Sequence, residues 1–296
     1  MNYKLFKFHL GTSKLDLTLE FSSLFEIEDI TYIDSLGIVL LFKKQHCLGL
    51  IDKNNRFIFP WAGEPDKTGF RDSTAPLFEY PSSACYCNAS KNLFVVEKGG
   101  MRIRKMELDP FYCSSVFGNA VQKKMANYFI NFPDIGGIST YCCADKNGDI
   151  YWSIRELNRC FKYEFNLSDF EPYIGNGKYG FSVSSNFRSS LVAYPSGLLC
   201  LGDSVYIADS GNHCIREGLR VVAGSPNRSG CKDNLALNAS LDFPTKIISL
   251  KKLICFKDID RIGYYSTADK LIGTLHVSSN VVAIDSDAKD LIVLEK

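Results

Sequence analysis

The chain repeats one stretch of eleven residues, and this repeat determines the fold class. The stretch AGEPDKTGFRD at residues 62–72 returns as AGSPNRSGCKD at residues 223–233, with Ala, Gly, Pro, Gly and Asp in the same register. A second pair, QHCL at residues 45–48 and NHCI at residues 212–215, has nearly the same separation. Both separations correspond to about three units of roughly 50 residues each, which indicates a repeat protein.

Aromatic-proline pairs open the individual units. The pairs are Tyr80-Pro81, Phe132-Pro133, Tyr194-Pro195 and Phe243-Pro244. Periods of about 40 to 50 residues that contain several short strands are typical of propeller blades. A chain of 296 residues accommodates about six such units. We therefore predict an all-β, six-bladed β-propeller with four-stranded blades.

The clearest unit shows how one blade is built. Short β-rich runs occupy residues 198–201, 205–208, 214–217 and 219–223. Gly202-Asp203 and the DSGN stretch at 209–212 separate them with typical turn chemistry. Helical periodicity is nearly absent, and only Gln122–Asn127 could hold a helical turn. The unit thus predicts four antiparallel strands.

The two ends of the chain are complementary. The C-terminus offers two strands, at 281–284 and 291–294, and the N-terminus offers two more, at 3–10 and 15–21. A last blade completed by the first strands leaves no unpaired strand edge. We predict one domain spanning residues 1–296, in which residues 1–21 and 277–296 form the closing blade.

Composition limits the possible environments and partners. The formal net charge is +1, so the overall charge favours neither nucleic acid nor an acidic membrane surface. The longest apolar run, residues 36–42, is far shorter than the roughly 18 residues of a membrane span. The eleven cysteines lie mostly inside apolar runs, which favours buried free thiols. We predict a cytoplasmic or other intracellular location, or a place within a virion, and no membrane contact.

Two stretches resemble one known repeat. YPSG at 194–197, VYIADSGNHCIR at 205–216 and Ala223-Gly224 together are similar to a complete NHL repeat, and residues 75–105 resemble a second copy. Other units are degenerate: RELN at 155–158 and KDID at 257–260 replace the corner sequence DSGN. The resemblance to the NHL-repeat family implies a six-bladed propeller that binds proteins or, in some relatives, RNA. Other six-bladed relatives are lactonases, phosphotriesterases and a hydroxyglycine lyase.

Candidate catalytic and metal-binding residues are few. His46 and His213 occupy equivalent repeat positions, but residues three blades apart lie on opposite sides of a ring and do not share an ion. Four aspartates could reach a central channel, although most lie in turns where Asp is expected for backbone reasons. These are Asp134, Asp145, Asp203 and Asp285. We predict no cofactor and no metal. A metal-dependent hydrolase of the lactonase or phosphotriesterase type is an alternative.

The loops between second and third strands form the predicted partner-binding face, because strand alternation places them beside the long Ala-Gly loops. Their charges are of both signs, which suits a protein interface better than an RNA phosphate track. Solvated loop tips without a partner are the alternative. The predicted partner-binding residues are Lys43, Lys44, Glu97, Lys98, Arg155, Glu156, Asp209, Asn212, Asp258 and Arg261.

The sequence as a whole favours a binding module over an enzyme. The stretch RIRK at 102–105 alternates as a half-exposed strand does, and it matches Lys162 and Arg216 in register. We predict a non-catalytic propeller for protein interaction or scaffolding, within a larger assembly such as a virion or phage tail. An RNA-binding NHL domain is the alternative, but nucleic acid is a less favoured partner than protein.

Overall fold

The computed structural model describes residues 2–99, 102–116, 140–167, 169–287 and 289–296. Strands dominate these ranges, and the helical elements among them are single 3-10 turns at Arg155–Leu157, Phe187–Ser189 and Ser210–Asn212. The strands form six sheets. Five of these sheets have four strands, and the sixth has four strands and a short fifth one. The predicted fold class, a six-bladed β-propeller with four-stranded blades, is confirmed. The predicted helical turn at Gln122–Asn127 and the pair Phe132-Pro133 lie outside the described residues.

The strands follow the chain in groups of four. The chain begins with a hairpin of β1 (Tyr3–His9) and β2 (Lys14–Phe21). Blade 1 contains β3 (Ile27–Ile33), β4 (Gly37–Phe42), β5 (Cys47–Asp52) and β6 (Phe57–Ala62). Blade 2 contains β7 (Pro81–Cys87), β8 (Asn92–Glu97), β9 (Arg102–Leu108) and β10 (Phe111–Ser115). Blade 3 contains β11 (Thr140–Ala144), β12 (Ile150–Ile154), β13 (Arg159–Glu164) and β14 (Asp169–Ile174).

The remaining blades continue this pattern. Blade 4 contains β15 (Pro195–Leu201), β16 (Ser204–Asp209), β17 (Cys214–Glu217) and β18 (Arg220–Gly224). Blade 5 contains the short β19 (Asn234–Leu235), then β20 (Lys246–Leu250), β21 (Leu253–Lys257), β22 (Arg261–Ser266) and β23 (Leu271–Val277). The last strands are β24 (Val281–Ser286) and β25 (Leu291–Glu295).

Strands from both ends of the chain share the closing blade. Its order is β2-β1-β25-β24. The strands β1 and β25 are antiparallel, from the pair Lys4 and Glu295 to the pair Phe8 and Leu291. The prediction that the terminal strands complete one blade is therefore confirmed. The hairpin covers the edge of β25 that would otherwise present unpaired backbone groups.

The chain divides into two compact units. The first comprises Met1–Ser22, Trp152–Phe161 and Pro172–Lys296, and the second comprises Ser23–Tyr151 and Lys162–Glu171. Whether the whole chain unfolds as one domain stays a prediction.

The core of each unit is built from second strands and their neighbours. In the second unit, β4 has the sequence GIVLLF and is buried along its whole length. A strand that is covered on both faces is expected to be a continuous apolar run. In the first unit, Ile254 and Phe256 of β21 are fully buried in a cluster that also contains Ile215 of β17. No helix in the described ranges has the length and apolar character of a membrane span.

Candidate functional site

The ten residues of the predicted partner-binding face lie at or beside the corners between second and third strands. The corners follow β4, β8, β12, β16 and β21. Their positions are as expected, but their exposure is not. Six of the ten side chains are buried: Glu97, Lys98, Asp209, Asn212, Asp258 and Arg261. These six belong to the internal structure of the blades and cannot form a contact surface in this conformation. Lys44 is exposed, and Lys43, Arg155 and Glu156 are half-buried.

Three of the buried residues are carboxylates with one shared role. We call Glu97, Asp209 and Asp258 the corner carboxylates. In each, one oxygen accepts a backbone N–H from the residue before an aromatic-proline pair: Glu79 at 3.2 Å, Ala193 at 2.7 Å and Asp242 at 2.7 Å, respectively. Each carboxylate therefore fixes the loop that leads into the first strand of its blade.

An arginine from the third strand pairs with each corner carboxylate. Arg104 donates to Glu97 at 3.2 Å, Arg216 to Asp209 at 2.7 Å and Arg261 to Asp258 at 3.2 Å. Each arginine also donates to a loop carbonyl three residues before the aromatic residue, namely those of Leu77, Leu191 and Ser240. The three ion pairs are thus copies of one structural device.

The strand at 102–105 is not half-exposed at its centre, so that expectation was wrong. Arg104 and Arg216 are both fully buried. Alternation in sequence did not reveal this, because the guanidinium groups point into the loop that packs over the sheet, where they donate to carbonyls and a carboxylate.

Burial also raises the pKa of Glu97 to about 7 and that of Asp258 to about 6, against the opposing effect of the neighbouring arginines. Burial likewise raises the pKa of Asp209.

The corner lysines of the second unit are paired with acids. Lys98 donates to Glu28 Oε1 at 2.6 Å, and Lys43 Nζ lies 3.8 Å from Glu28 Oε2. Lys44 Nζ lies 2.5 Å from Glu26 Oε2. Burial lowers the pKa of Lys98. These cations are therefore largely neutralised by carboxylates on the same unit.

His46 and His213 serve the backbone. The N–H of Tyr80 donates to His46 Nδ1 at 3.2 Å, and the N–H of Phe243 donates to His213 Nδ1 at 3.4 Å. In each case the aromatic ring packs edge-on against the imidazole. At the equivalent corner of blade 3, Asn158 Oδ1 accepts the N–H of Tyr194 at 2.9 Å. These residues hold the backbone of the following blade.

The corner of blade 3 lacks a corner carboxylate and leaves a cation free. Arg155 follows β12, where the equivalent of a corner carboxylate is the apolar residue Ile154. The predicted alignment of residues 155–158 and 257–260 with the stretch 209–212 was therefore wrong by one residue. Its guanidinium lies 5.2 Å from the ring centroid of Tyr194 and 5.1 Å from that of Phe243. Within the described residues, no acceptor or acidic side chain pairs with this guanidinium. A half-buried arginine thus lies against two rings with its five N–H donors unused.

Tyr179 extends this aromatic surface. Its ring centroid lies 5.3 Å from that of Tyr194, and its hydroxyl donates to the carbonyl of Gly211 at 3.4 Å. Tyr179 is 58% exposed and Tyr194 is 38% exposed. We call Arg155, Tyr179, Tyr194 and Phe243 the arginine-aromatic cluster. All four residues belong to the first unit.

Of this cluster, only Arg155 was predicted from the sequence as a binding residue. Tyr194 and Phe243 mark the repeat in the sequence, and Tyr179 was not among the predicted binding residues. The signal in the sequence was the proline after Tyr194 and after Phe243, and in the structure both residues adopt a positive φ, 47° and 57°. Bulky residues rarely adopt such a conformation, so it marks a position fixed by its surroundings.

Several of the other candidate groups have structural roles. All eleven cysteines are thiols rather than halves of disulfides, and eight of them are buried. Burial raises the pKa of Cys47, Cys113 and Cys255 to about 12, which makes these thiols poor nucleophiles. Asp145 caps its own turn by accepting two backbone N–H groups, and Asp134 lies outside the described residues. In the ranges that the structure describes, no group of three or more His, Cys, Asp and Glu side chains could hold a metal ion.

Known proteins share the fold but little sequence. No protein-family model matches the chain, and no curated protein matches it. Among solved structures, it is similar to a chain of a nidogen/laminin complex, with a TM-score of 0.58, 11% identity, and coverage of 99% of this chain and 98% of that chain. It is also similar to virginiamycin B lyase from Staphylococcus aureus, crystallised as a catalytically inactive form with quinupristin, with a TM-score of 0.57, 11% identity and 99% coverage of both chains.

A third similar structure is a putative gluconolactonase, with a TM-score of 0.55, 8% identity, and coverage of 92% of this chain and 88% of that chain. At these identities the likeness shows the propeller fold alone. The neighbours include an interaction protein and enzymes, so the function has to be argued from the residues of this chain.

Proposed function

We propose that this chain is a non-catalytic, protein-binding propeller of the NHL type, and that its partner contacts the arginine-aromatic cluster. The observation that carries the proposal is the free guanidinium of Arg155 between the rings of Tyr194 and Phe243. Arginine and tyrosine are enriched among the residues that supply most of the binding energy at protein interfaces.

The chemistry of the cluster indicates what the partner offers. Cation–π contacts with two rings hold the guanidinium in place, and its unused donors match the two oxygens of a carboxylate. The exposed part of Tyr179 supplies apolar area beside the charge. We therefore expect the partner to present an aspartate or glutamate flanked by apolar side chains.

The NHL assignment has support in two blades. The sequences of blades 2 and 4 resemble NHL repeats, and both contain the buried pair of a second-strand carboxylate and a third-strand arginine seven residues later, Glu97 with Arg104 and Asp209 with Arg216. The same device recurs in blade 5 with a spacing of three residues. A scaffolding role in a larger assembly, inside a cell or a virion, is part of this proposal.

RNA binding is the second candidate, because aromatic rings and arginine also stack on bases. Binding to single-stranded nucleic acid requires in addition a groove of positive charge along the backbone. The corner lysines do not provide one, since Lys98 and Lys43 lie against Glu28 and Lys44 lies against Glu26. The net charge of +1 also favours protein over RNA.

The proposal is tested by quantitative affinity capture with three forms of the protein. Wild type, Arg155→Ala and Arg228→Ala are immobilised and exposed to extract from the native source, with and without ribonuclease. Arg228 is an exposed arginine of the same unit and serves as the matched control. Losing an interface anchor of about 2 kcal/mol weakens binding roughly 30-fold. We expect specific proteins to be captured by wild type and Arg228→Ala, and to be lost with Arg155→Ala.

Two results would contradict the proposal. Capture of the same proteins in equal amounts by all three forms would show that the cluster is not the contact. Material that is lost after ribonuclease treatment, together with a steep dependence on salt, would identify RNA as the ligand. Melting temperatures of the three forms should agree, since surface substitutions usually change stability by no more than about 0.5 kcal/mol.

A further inference from the structure

The second unit contains a cleft that is separate from the arginine-aromatic cluster. It lies among three hairpin turns: the β3–β4 turn of blade 1, and the β7–β8 and β9–β10 turns of blade 2. Its volume is about 560 Å³. This is within the roughly 300–1,000 Å³ of small-molecule sites. Its size alone therefore makes it a candidate ligand site.

Two half-buried side chains give the cleft an apolar component. Tyr86 on β7 and Leu108 at the end of β9 both line it. Both also pack against the buried core of the second unit, in the cluster that contains Ala84 and Met106. Their positions are thus fixed by the fold. A rigid ring and an alkyl group offer a surface on which the C–H face of a ligand can pack.

Polar side chains without internal partners surround this component. Asn88 and Ser90 in the β7–β8 turn and Asp109 in the β9–β10 turn are exposed and line the cleft. Within the part of the chain that the structure describes, none of these three side chains makes a hydrogen bond or ion pair. An amide, a hydroxyl and a carboxylate are therefore available to a ligand that carries both donors and acceptors.

The charge of the cleft indicates which chemical class of ligand it can bind. Asp34, Glu107 and Asp109 line it together with one cation, Lys91. Lys105 lies 2.6 Å from Glu107 and neutralises it. The remaining balance is slightly negative, which disfavours phosphates, nucleic acid and acidic peptides. A ligand rich in hydroxyl groups, by contrast, can donate to the carboxylates and accept from the amide.

We propose that this cleft binds a short neutral carbohydrate. A sugar ring combines an apolar C–H face, which fits Tyr86 and Leu108, with vicinal hydroxyls, which fit Asn88, Ser90 and Asp109. The hairpin turns that carry these groups are anchored by rigid strands, so the site is preformed and binding orders few side chains. The inference does not depend on the arginine-aromatic cluster or on a protein partner.

The test is a titration of the full chain with neutral oligosaccharides, monitored by saturation-transfer NMR and calorimetry. The panel contains cellobiose, maltotriose, lactose, mannobiose and N,N′-diacetylchitobiose, with spermine as a cationic probe. The variant Asn88→Ala/Ser90→Ala removes two polar groups from the cleft. The control is Asn54→Ala, an exposed position in the β5–β6 turn of the same unit.

We expect at least one sugar of the panel to bind saturably at millimolar or lower concentration, with little dependence on salt. The double variant should weaken that binding about tenfold, since it removes two ligand hydrogen bonds. Asn54→Ala should leave it unchanged, and both variants should melt at the wild-type temperature. Binding of no sugar, salt-sensitive binding of spermine alone, or sugar binding that is indifferent to Asn88→Ala/Ser90→Ala would each overturn the proposal.

Discussion

Replacing Asp209 by Asn removes one charge from a fully buried ion pair of blade 4. In the unsubstituted protein the N–H of Ala193 donates to Asp209 Oδ1 at 2.7 Å. The substitution keeps the shape of the side chain and leaves an oxygen that can accept this N–H. It removes the carboxylate that Arg216 Nε contacts at 2.7 Å. Both side chains of the pair are 0% exposed. The guanidinium would therefore remain charged and buried without a counter-ion, because arginine is not deprotonated in proteins.

The size of the loss follows from this burial. Breaking a buried pair by removing one partner costs about 3–5 kcal/mol. Exposed pairs contribute about 0–1 kcal/mol. A loss of about 4 kcal/mol is a large part of the 5–15 kcal/mol that stabilises a typical domain. For a chain of this size it corresponds to a fall in the melting temperature of about 6 °C.

Urea unfolding provides the assay, with circular dichroism and the fluorescence of the two tryptophans, of which Trp152 is buried and stacks on Phe161. The variants are Asp209→Asn, Arg216→Met and the double substitution. Asp209→Asn should cost more than Arg216→Met. The reason is that burial already raises the pKa of Asp209, so this carboxyl takes up a proton when its partner is lost. The double variant should lose less than the sum of the two single losses.

Arg220→Ala is the matched control, because Arg220 pairs with Glu217 in the same sheet but is 69% exposed. We expect it to cost less than about 1 kcal/mol. Burial does not set the strength of this ion pair if Asp209→Asn costs no more than Arg220→Ala, or if the losses of the two single variants simply add. The repeated pairs would then be incidental to the stability of the blades.

Three other outcomes are expected. Burial raises the pKa of Glu97 from 4.5 to about 7. The stability that Glu97 contributes is therefore complete below pH 4.5 and is lost as the pH rises through 7. In urea titrations at several pH values, Glu97→Gln should remove about 3 kcal/mol of this pH dependence of the unfolding free energy. His46→Asn should preserve the melting temperature, because Asn158 already performs this role in blade 3, whereas His46→Ala should lower it through loss of the acceptor and strain at a φ of 54°. Deleting residues 1–21 should expose the edge of β25 and cause aggregation or a lower melting temperature, and a soluble monomer that melts like the full chain would contradict closure.

Sequence reasoning predicted the architecture because local rules and the repeat agree in this chain. Turn residues such as Gly202-Asp203 separate short apolar runs, and the structure has the corresponding strands β15 and β16 around that turn. The half-blades at the two ends were visible for the same reason. Consistency between local preference and global pattern is what makes a fold predictable.

Exposure at the corners could not be predicted in the same way. An aspartate in a turn usually caps its own backbone, as Asp145 does. Asp209 instead receives the N–H of Ala193, sixteen residues earlier, and the side chain of Arg216. These contacts depend on how the loop into the blade packs over the sheet. The spacing of seven residues in Glu97–Arg104 and in Asp209–Arg216 was a sequence signal that could have identified the buried pair.

The departure of blade 3 from this device explains why Arg155 is available. Blade 3 has Ile154 where blade 4 has Asp209, and it has Phe161, not Lys162 as predicted, where blade 4 has Arg216. An apolar pair there needs no buried charge, and Phe161 stacks on Trp152 with ring centroids 5.4 Å apart. The cation of this corner then lies outside the blade core, on Tyr194 and Phe243. Blade 3 lacks the buried ion pair that blades 2, 4 and 5 contain, yet it still holds a charged group in a defined place. At such a position we expect selection for binding rather than for stability.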